Sequence, residues 1–366
     1  MSNNKKIIVV VGATGIEGNA VVKAFDNLRA NNNNNNNYEF HIRAVVPSLE
    51  SSEAMDLQSV VDEMYGEVHL EKALEGEVYG VYIANDYFVD CNDEREVSLL
   101  NKIQKLIVKS SSRSSIQHVV LSCSEDTRPF VNKRNDVLFW NKMNGNMFCP
   151  PMDAKGGLAD NVAGTIPTTK LYPAVLLEFF SNYMKPLERA DDKGYTLKLP
   201  LERGFPLPVV AASDVGAIVC AIFQDPTRIG VTCGVTSELI TPVEIAHQLS
   251  QVLGVPIAYQ MCSVEEFAQS GLDGAEELAN MFKYISHDAK YALRRKIPPG
   301  LKPMMGPYTQ TFASWAEANV EALKAQYLGA AASSAEEGEI DKYSFVSASE
   351  SQVEHVVGGT GETEWA

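Results

Sequence analysis

The sequence predicts an α/β fold, a doubly wound parallel sheet joined to a smaller mixed C-terminal lobe. Three observations carry that expectation. Ile7-Ile8-Val9-Val10-Val11 puts five β-branched residues in a row and runs straight into Gly12-Ala13-Thr14-Gly15-Ile16-Glu17-Gly18, as a central parallel strand runs into a tight turn and a helix. Ala20, Val21, Ala24, Phe25 and Leu28 follow with one apolar face at helical spacing. Further apolar runs at 38–46, 78–84 and 117–121 alternate with helical stretches, the pattern of repeated βα units.

Each element has a local reason. Seven asparagines at 31–37 read as a solvated loop between the first helix and strand two. Strand two covers 38–46 and ends at Pro47-Ser48. Glu67-Val68-His69 is the expected third strand, with a helical turn at 70–74. The fourth, 78–84, stops at Asn85-Asp86-Tyr87, and Val97, Leu100, Ile103, Leu106 and Ile107 then mark a helix over 94–107. Strand five, 117–121, ends in Ser122. Residues 126–151 have no period and read as a loop at the crevice rim; Met152-Asp153-Ala154-Lys155-Gly156 then leads to strand six at 169–174.

The second half is punctuated differently. Thr241-Pro242-Val243-Glu244 is a capping box with proline at the first helical position. Ser263-Val264-Glu265-Glu266 repeats the device, and Ala212-Ser213-Asp214 opens another helix. The expected division is a nucleotide-binding core over 1–160, strand six with a smaller, interleaved lobe over 161–327, and a disordered acidic tail over 328–366.

Composition narrows the function classes. With 366 residues, 45% of them hydrophobic, the chain can bury a sizeable core. A net charge of −16 disfavours a surface that holds nucleic acid or anionic lipid by electrostatics. The N-terminus lacks an apolar signal region, and 209–223, the most apolar run, is broken by Asp214 and too short to span a bilayer. Cys91, Cys123, Cys149, Cys220, Cys233 and Cys262 form no C-x-x-C pair, which suits reduced thiols in the cytoplasm, or the nucleus as well. No metal site is expected from the histidine and cysteine spacings.

The glycine-rich turn carries the chemistry. Glycine lets a diphosphate approach the backbone, and the helix that follows directs free N–H groups and the positive end of its dipole at the anion. The spacing Gly12-x-x-Gly15-x-x-Gly18 departs from the standard G-x-G-x-x-G, and an empty βα turn can use the same residues. The strand before it and the helix after it favour nucleotide binding. At the end of strand two, an acid would accept from the ribose 2′-OH of NAD, whereas an arginine would pair the 2′-phosphate of NADP. Val46-Pro47-Ser48 offers no acid, which points to NADP, with Arg43 and Ser48 as candidate phosphate partners. For Arg43 the alternative is a place along the sheet surface.

Five segments, in order, resemble the NmrA-like family, an atypical branch of the short-chain dehydrogenase/reductases. They are Val11-Gly12-Ala13-Thr14-Gly15-Ile16-Glu17-Gly18, Ile42-Arg43-Ala44-Val45-Val46, Met152-Asp153-Ala154-Lys155-Gly156, Ala212-Ser213-Asp214-Val215-Gly216 and Gly274-Ala275-Glu276-Glu277-Leu278-Ala279-Asn280-Met281-Phe282. The last resembles a helix of animal NmrA-like redox sensors. The resemblance implies a Rossmann domain that binds NADP(H), with NAD(H) still open because those sensors carry arginine where this chain has Pro47. It also implies that Gly12, Ala13, Thr14, Gly15, Ile16 and Glu17 line the diphosphate, that Asn85 lies near the ribose, and that Lys155 reaches the nicotinamide end.

Two functions follow from that resemblance. One is a regulator that senses redox state through cofactor occupancy and acts through a protein partner. The other is an NADPH-dependent reductase of a small phenolic or quinone substrate with Lys155 as general base. None of the fourteen tyrosines has a lysine four residues later, so the standard Tyr-x-x-x-Lys pair is missing. Ser122 alone has no means of moving a proton. Lys155 can contact cofactor hydroxyls, lie exposed before its Gly-Gly turn, or act as a base if burial lowers its pKa. The sensor is the reading carried forward.

Overall fold

The β-branched run from Ile7 forms β1 (Lys5–Val11), with Ile8, Val9, Val10 and Val11 all buried. Burial on both faces is what a central parallel strand requires. The computed structural model describes residues 5–30, 39–84, 93–111, 116–133, 147–163, 166–182, 184, 188–189, 194–302 and 309–328. After β1 come α1 (Ile16–Ala30), β2 (Glu39–Val46), α2 (Ser52–Leu57), β3 (Glu63–Gly66), α3 (Leu70–Ala73) and β4 (Val78–Ile83). They are followed by α4 (Asp93–Ser111), β5 (His118–Ser122), α5 (Arg128–Lys133), α6 (Pro150–Ala163) and β6 (Thr168–Pro173).

The later chain contributes β7 (Val175–Leu176), α7 (Phe179–Asn182), β8 (Glu188–Arg189), β9 (Tyr195–Leu199), β10 (Leu207–Val210), α8 (Ala212–Gln224) and β11 (Thr232–Val235). It continues with β12 (Glu238–Ile240), α9 (Pro242–Leu253), β13 (Ile257–Met261), α10 (Val264–Ala268) and α11 (Ala275–His287). Last are α12 (Tyr291–Arg294), α13 (Phe312–Ala318) and α14 (Val320–Leu328). Seven strands form one sheet in the order β11-β6-β5-β4-β1-β2-β3, and every pairing in it is parallel.

Both faces of that sheet are covered, as the doubly wound class demands. On one face Val21, Val22 and Phe25 of α1 and Val215, Ile218 and Ile222 of α8 pack on Ile8, Val10 and Ile42. On the other, Leu70, Ala73, Ile103, Ile107 and Ala159 pack on Val9, Val45 and Val81. Truncating a fully buried ring such as Phe25 to alanine costs about 3–5 kcal/mol. Two small mixed sheets, β12-β10-β7 and β13-β9-β8, belong to the second half. Their core is aromatic, with Phe180 and Phe312 edge to face at 5.4 Å and Phe267 and Phe282 at 5.6 Å.

Two expectations need correction. The third strand is Glu63–Gly66, and the stretch expected as a strand is a 3-10 turn, Glu67–His69. β3 is an edge strand, so Glu63 and Tyr65 can pair with each other on its half-open side; Val68, in the stretch expected as a strand, is 82% exposed. Within 126–151, Arg128–Lys133 is helical and α6 already begins at Pro150. The capping box at Thr241 and Glu244 forms as expected. The asparagine run, Asn85, Cys91 and the acidic tail lie outside the described residues.

Candidate functional site

The backbone at Gly12 takes φ +77°, which favours glycine. A Cβ there would lie 2.2 Å from the Ala84 carbonyl oxygen, and one at Gly18 would lie 2.0 Å from that of Gly12. Both glycines are therefore dictated by the packing of the turn itself. The amides of Gly12 and Ala13 both donate to Val45 O at 3.1 Å, which fixes the end of β2 against the turn. Gly15 N donates to Gly12 O at 3.0 Å, and Asn19 N to Gly15 O at 2.8 Å. Thr14, Ile16 and Glu17 are half-buried at the start of α1, where first-turn amides lack intrahelical acceptors.

Glu17 turns inward. Its Oε2 accepts from Ser122 Oγ at 2.5 Å and from Tyr82 Oη at 3.0 Å. Burial, and then the Glu17 carboxylate, push the Tyr82 phenol well above its usual range. A cavity of about 160 Å³ opens beside this junction, lined by Ile16, Glu17, Ser122, Lys155, Phe179 and Tyr291 among others. That volume suits one ring-sized group. Cys123 also borders it, its thiol pushed up to about 12 by burial and so kept protonated at neutral pH.

The expected site residues do not all converge. Lys155 is half-buried on α6 and reaches the cavity. Arg43 lies along the sheet instead, its Nε donating to Glu63 Oε1 at 3.1 Å and its Nη1 to Ala73 O at 3.1 Å and Glu75 O at 2.7 Å. Ser48 is exposed and accepts from Glu50 N at 3.3 Å.

α6 is held by Asp153, which is 1% exposed. Its Oδ1 accepts from Thr127 N and Oγ1, both at 2.7 Å, and its Oδ2 from Phe148 N at 2.8 Å and Cys149 N at 3.1 Å. Asn280 of α11 donates to Phe148 O at 2.7 Å. Two segments more than a hundred residues apart in sequence thus meet behind the cavity.

Residues 161–316 match the NmrA-like family. A curated relative, the NmrA-like family domain-containing protein of Dictyostelium discoideum, is 23% identical over 72% of this chain and 83% of its own. Over 161–316 the chain is similar to the NmrA-like family, and this relative extends the likeness to most of the chain. Its fold is shared with NmrA, a negative transcriptional regulator solved in complex with NAD, at TM-score 0.64 and 19% identity over 86% of this chain and 95% of that one. It is also shared with the Citrobacter sp. triphenylmethane reductase complexed with NADP(H), at TM-score 0.59 and 18% identity over 84% and 98%. The family match begins beyond both the glycine turn and Lys155.

Apart from one arginine doublet, nothing local in the sequence marks the far wall of the cavity. Arg295, 1% exposed, makes a bidentate pair with Glu125 at 2.8 and 2.7 Å and stacks 3.4 Å over the Tyr291 ring. Its other bonds go to Ser124 Oγ, Pro173 O and Tyr291 O. Arg294 joins Glu125 at 2.5 Å and also pairs with Asp288. Burial alone would raise Glu125, but the hydrogen bonds and charges of Arg295 and Arg294 outweigh it and hold the carboxyl at about 2. The one available signal was the Arg294-Arg295 doublet. Tyr291 and Arg295 stand at the spacing of a Tyr-x-x-x-Lys pair with arginine in the lysine's place, and burial pushes the Tyr291 phenol up to about 12. Among the described residues, no helix is long and apolar enough to cross a membrane.

Proposed function

We propose that this chain is a regulator that binds a nicotinamide dinucleotide and reports redox state through cofactor occupancy to a protein partner, without turning over substrate. Gly12, Ala13, Thr14, Gly15, Ile16 and Glu17 border the diphosphate, with the first turn of α1 directed at it. Lys155 lies at the nicotinamide end. Residues 1–160 carry most of the cofactor site and 161–327 the partner lobe. The five described cysteines are buried thiols, which supports a reducing compartment, the cytoplasm or nucleus.

One observation carries the reading. Where hydride transfer would take place, the Ser122 hydroxyl already donates to Glu17. The one Tyr-x-x-x-basic spacing on the cavity has its arginine bound to Glu125 and its phenol raised by burial. Proton transfer at neutral pH needs a group poised near that pH, and burial carries the Tyr291 phenol away from it.

Lys155 in the cavity wall favours a second reading, reduction of a small phenolic or quinone compound by NADPH with Lys155 as base. Calorimetric titration with NADPH, NADP, NADH and NAD, followed by sedimentation and quinone turnover, separates the two. Tight binding, a change in assembly and no consumption of NADPH support the regulator. Turnover that Lys155→Met abolishes supports the reductase.

A further inference from the structure

We propose that the adenosine half of the site is built for an unphosphorylated ribose, so that the dinucleotide this chain takes is NAD(H) rather than NADP(H). The inference rests on the reading of the glycine turn as the dinucleotide site.

The bonds from Gly12 N and Ala13 N to Val45 O hold the end of β2 against the turn. A ribose seated over the turn therefore meets the residues that follow Val46, where dinucleotide folds select their cofactor. A 2′-phosphate brings a charge of about −2 to that point and is recognised by arginine forks or lysine ammonium groups. The described residues around the end of β2 offer neither.

Arg43 lies three residues before the end of β2, about 10 Å back along the strand. Its guanidinium is bound to Glu63 and two carbonyls, and reaching a phosphate would break all three contacts. From Ala44 to Glu71 there is no lysine or arginine but seven acidic residues. The residues that follow β4 in sequence, 84–92, include no lysine or arginine either. Arg29, at the end of α1, is bound to Asp62, Asp26 and Val60 O.

The hydroxyls at hand supply no charge. Ser48 Oγ accepts from Glu50 N, and Ser51 Oγ caps α2 by accepting from Ala54 N at 3.2 Å. The carboxylates of Glu50 and Glu53 are exposed on the same turn and would repel a phosphate. A 2′-hydroxyl needs only an acceptor, and Glu50 can supply one.

The test is calorimetric titration of the full chain with NAD+ and NADP+ in parallel, repeated on Pro47→Arg and Glu50→Lys, both at exposed positions. NAD+ is expected to bind the native chain at least about tenfold more tightly. Either substitution should raise NADP+ affinity roughly tenfold; Pro47→Arg should change NAD+ affinity by less than about threefold, whereas Glu50→Lys, which removes the acceptor of the 2′-hydroxyl, should weaken NAD+ by about tenfold. NADP+ binding as tightly as NAD+ to the native chain would overturn this inference and leave the dinucleotide reading standing. Binding of neither would remove both.

Discussion

Glu17 and Ser122, 105 positions apart in the chain, meet through a 2.5 Å hydrogen bond from the serine hydroxyl to Glu17 Oε2. Tyr82 donates to the same oxygen at 3.0 Å, so one carboxylate ties the first turn of α1 to β4 and β5. Removing it by Glu17→Ala takes the carboxylate acceptor from the buried Tyr82 phenol and from Ser122, at an expected loss of about 1–3 kcal/mol of stability. Glu17→Gln keeps an acceptor oxygen and should lose less. Urea denaturation measures both, and equal losses would mean that packing, not the hydrogen bonds, holds this junction.

The glycine turn makes a steric prediction. Gly12→Ala combines φ +77° with an approach of 2.2 Å to the Ala84 carbonyl, and strain of this kind costs on the order of 1–3 kcal/mol before the clash is relieved. The turn should open and dinucleotide affinity should fall. Gly18→Ala meets the Gly12 carbonyl at 2.0 Å and should behave alike, whereas alanine at Gly230, with nothing within 4 Å, is strained only by its φ of +82°. A calorimetric titration of the three variants should separate the first two from the third. A Gly12→Ala chain that bound as well as the native one would remove the turn from the site.

Legibility in the sequence followed burial. β1, β2, β4 and β5 were readable because they are buried, apolar runs inside a parallel sheet, and the glycine turn was readable because it follows one of them. β3 was misplaced by four residues because an edge strand can carry Glu63 and Tyr65, and so loses the apolar signal. β7, β8 and β12 are only 2–3 residues long, too short to show a period. The Glu125–Arg295 pair spans 170 positions, and nothing local announces such a contact. Arg43 was read with two alternatives, and its bond to Glu63 depends on where β3 lies.

Glu125 also sets an acid limit on stability. Its carboxyl is held at about 2 in the fold against an ordinary value of 4.5, so between those values the unfolded chain binds more protons and stability falls as pH falls. The contribution is fully present above about pH 5, is lost progressively towards pH 2, and is on the order of 3 kcal/mol. Urea midpoints measured from pH 6 to pH 2 should drop less steeply in Glu125→Gln than in the native chain. Parallel curves would show that other carboxylates dominate. Arg295→Met, which leaves Glu125 buried with Arg294 alone, should cost about 3–5 kcal/mol at neutral pH.

Asp153 makes the last prediction, because its four hydrogen bonds fix both the start of α6 and the reach of Lys155 two residues on. Asp153→Asn keeps the shape but turns an amide N–H₂ towards two backbone or hydroxyl donors, so that two bonds are lost and donors face donors. Roughly 3 kcal/mol of stability should go with them. Thr127→Val removes only the hydroxyl bond and keeps the backbone one, so about 1 kcal/mol is expected. If α6 positions Lys155 at the nicotinamide end, Asp153→Asn should also weaken dinucleotide binding well below its melting temperature, and Thr127→Val should not. A destabilised Asp153→Asn chain that still bound dinucleotide with native affinity would confine Asp153 to holding the fold and separate Lys155 from cofactor recognition.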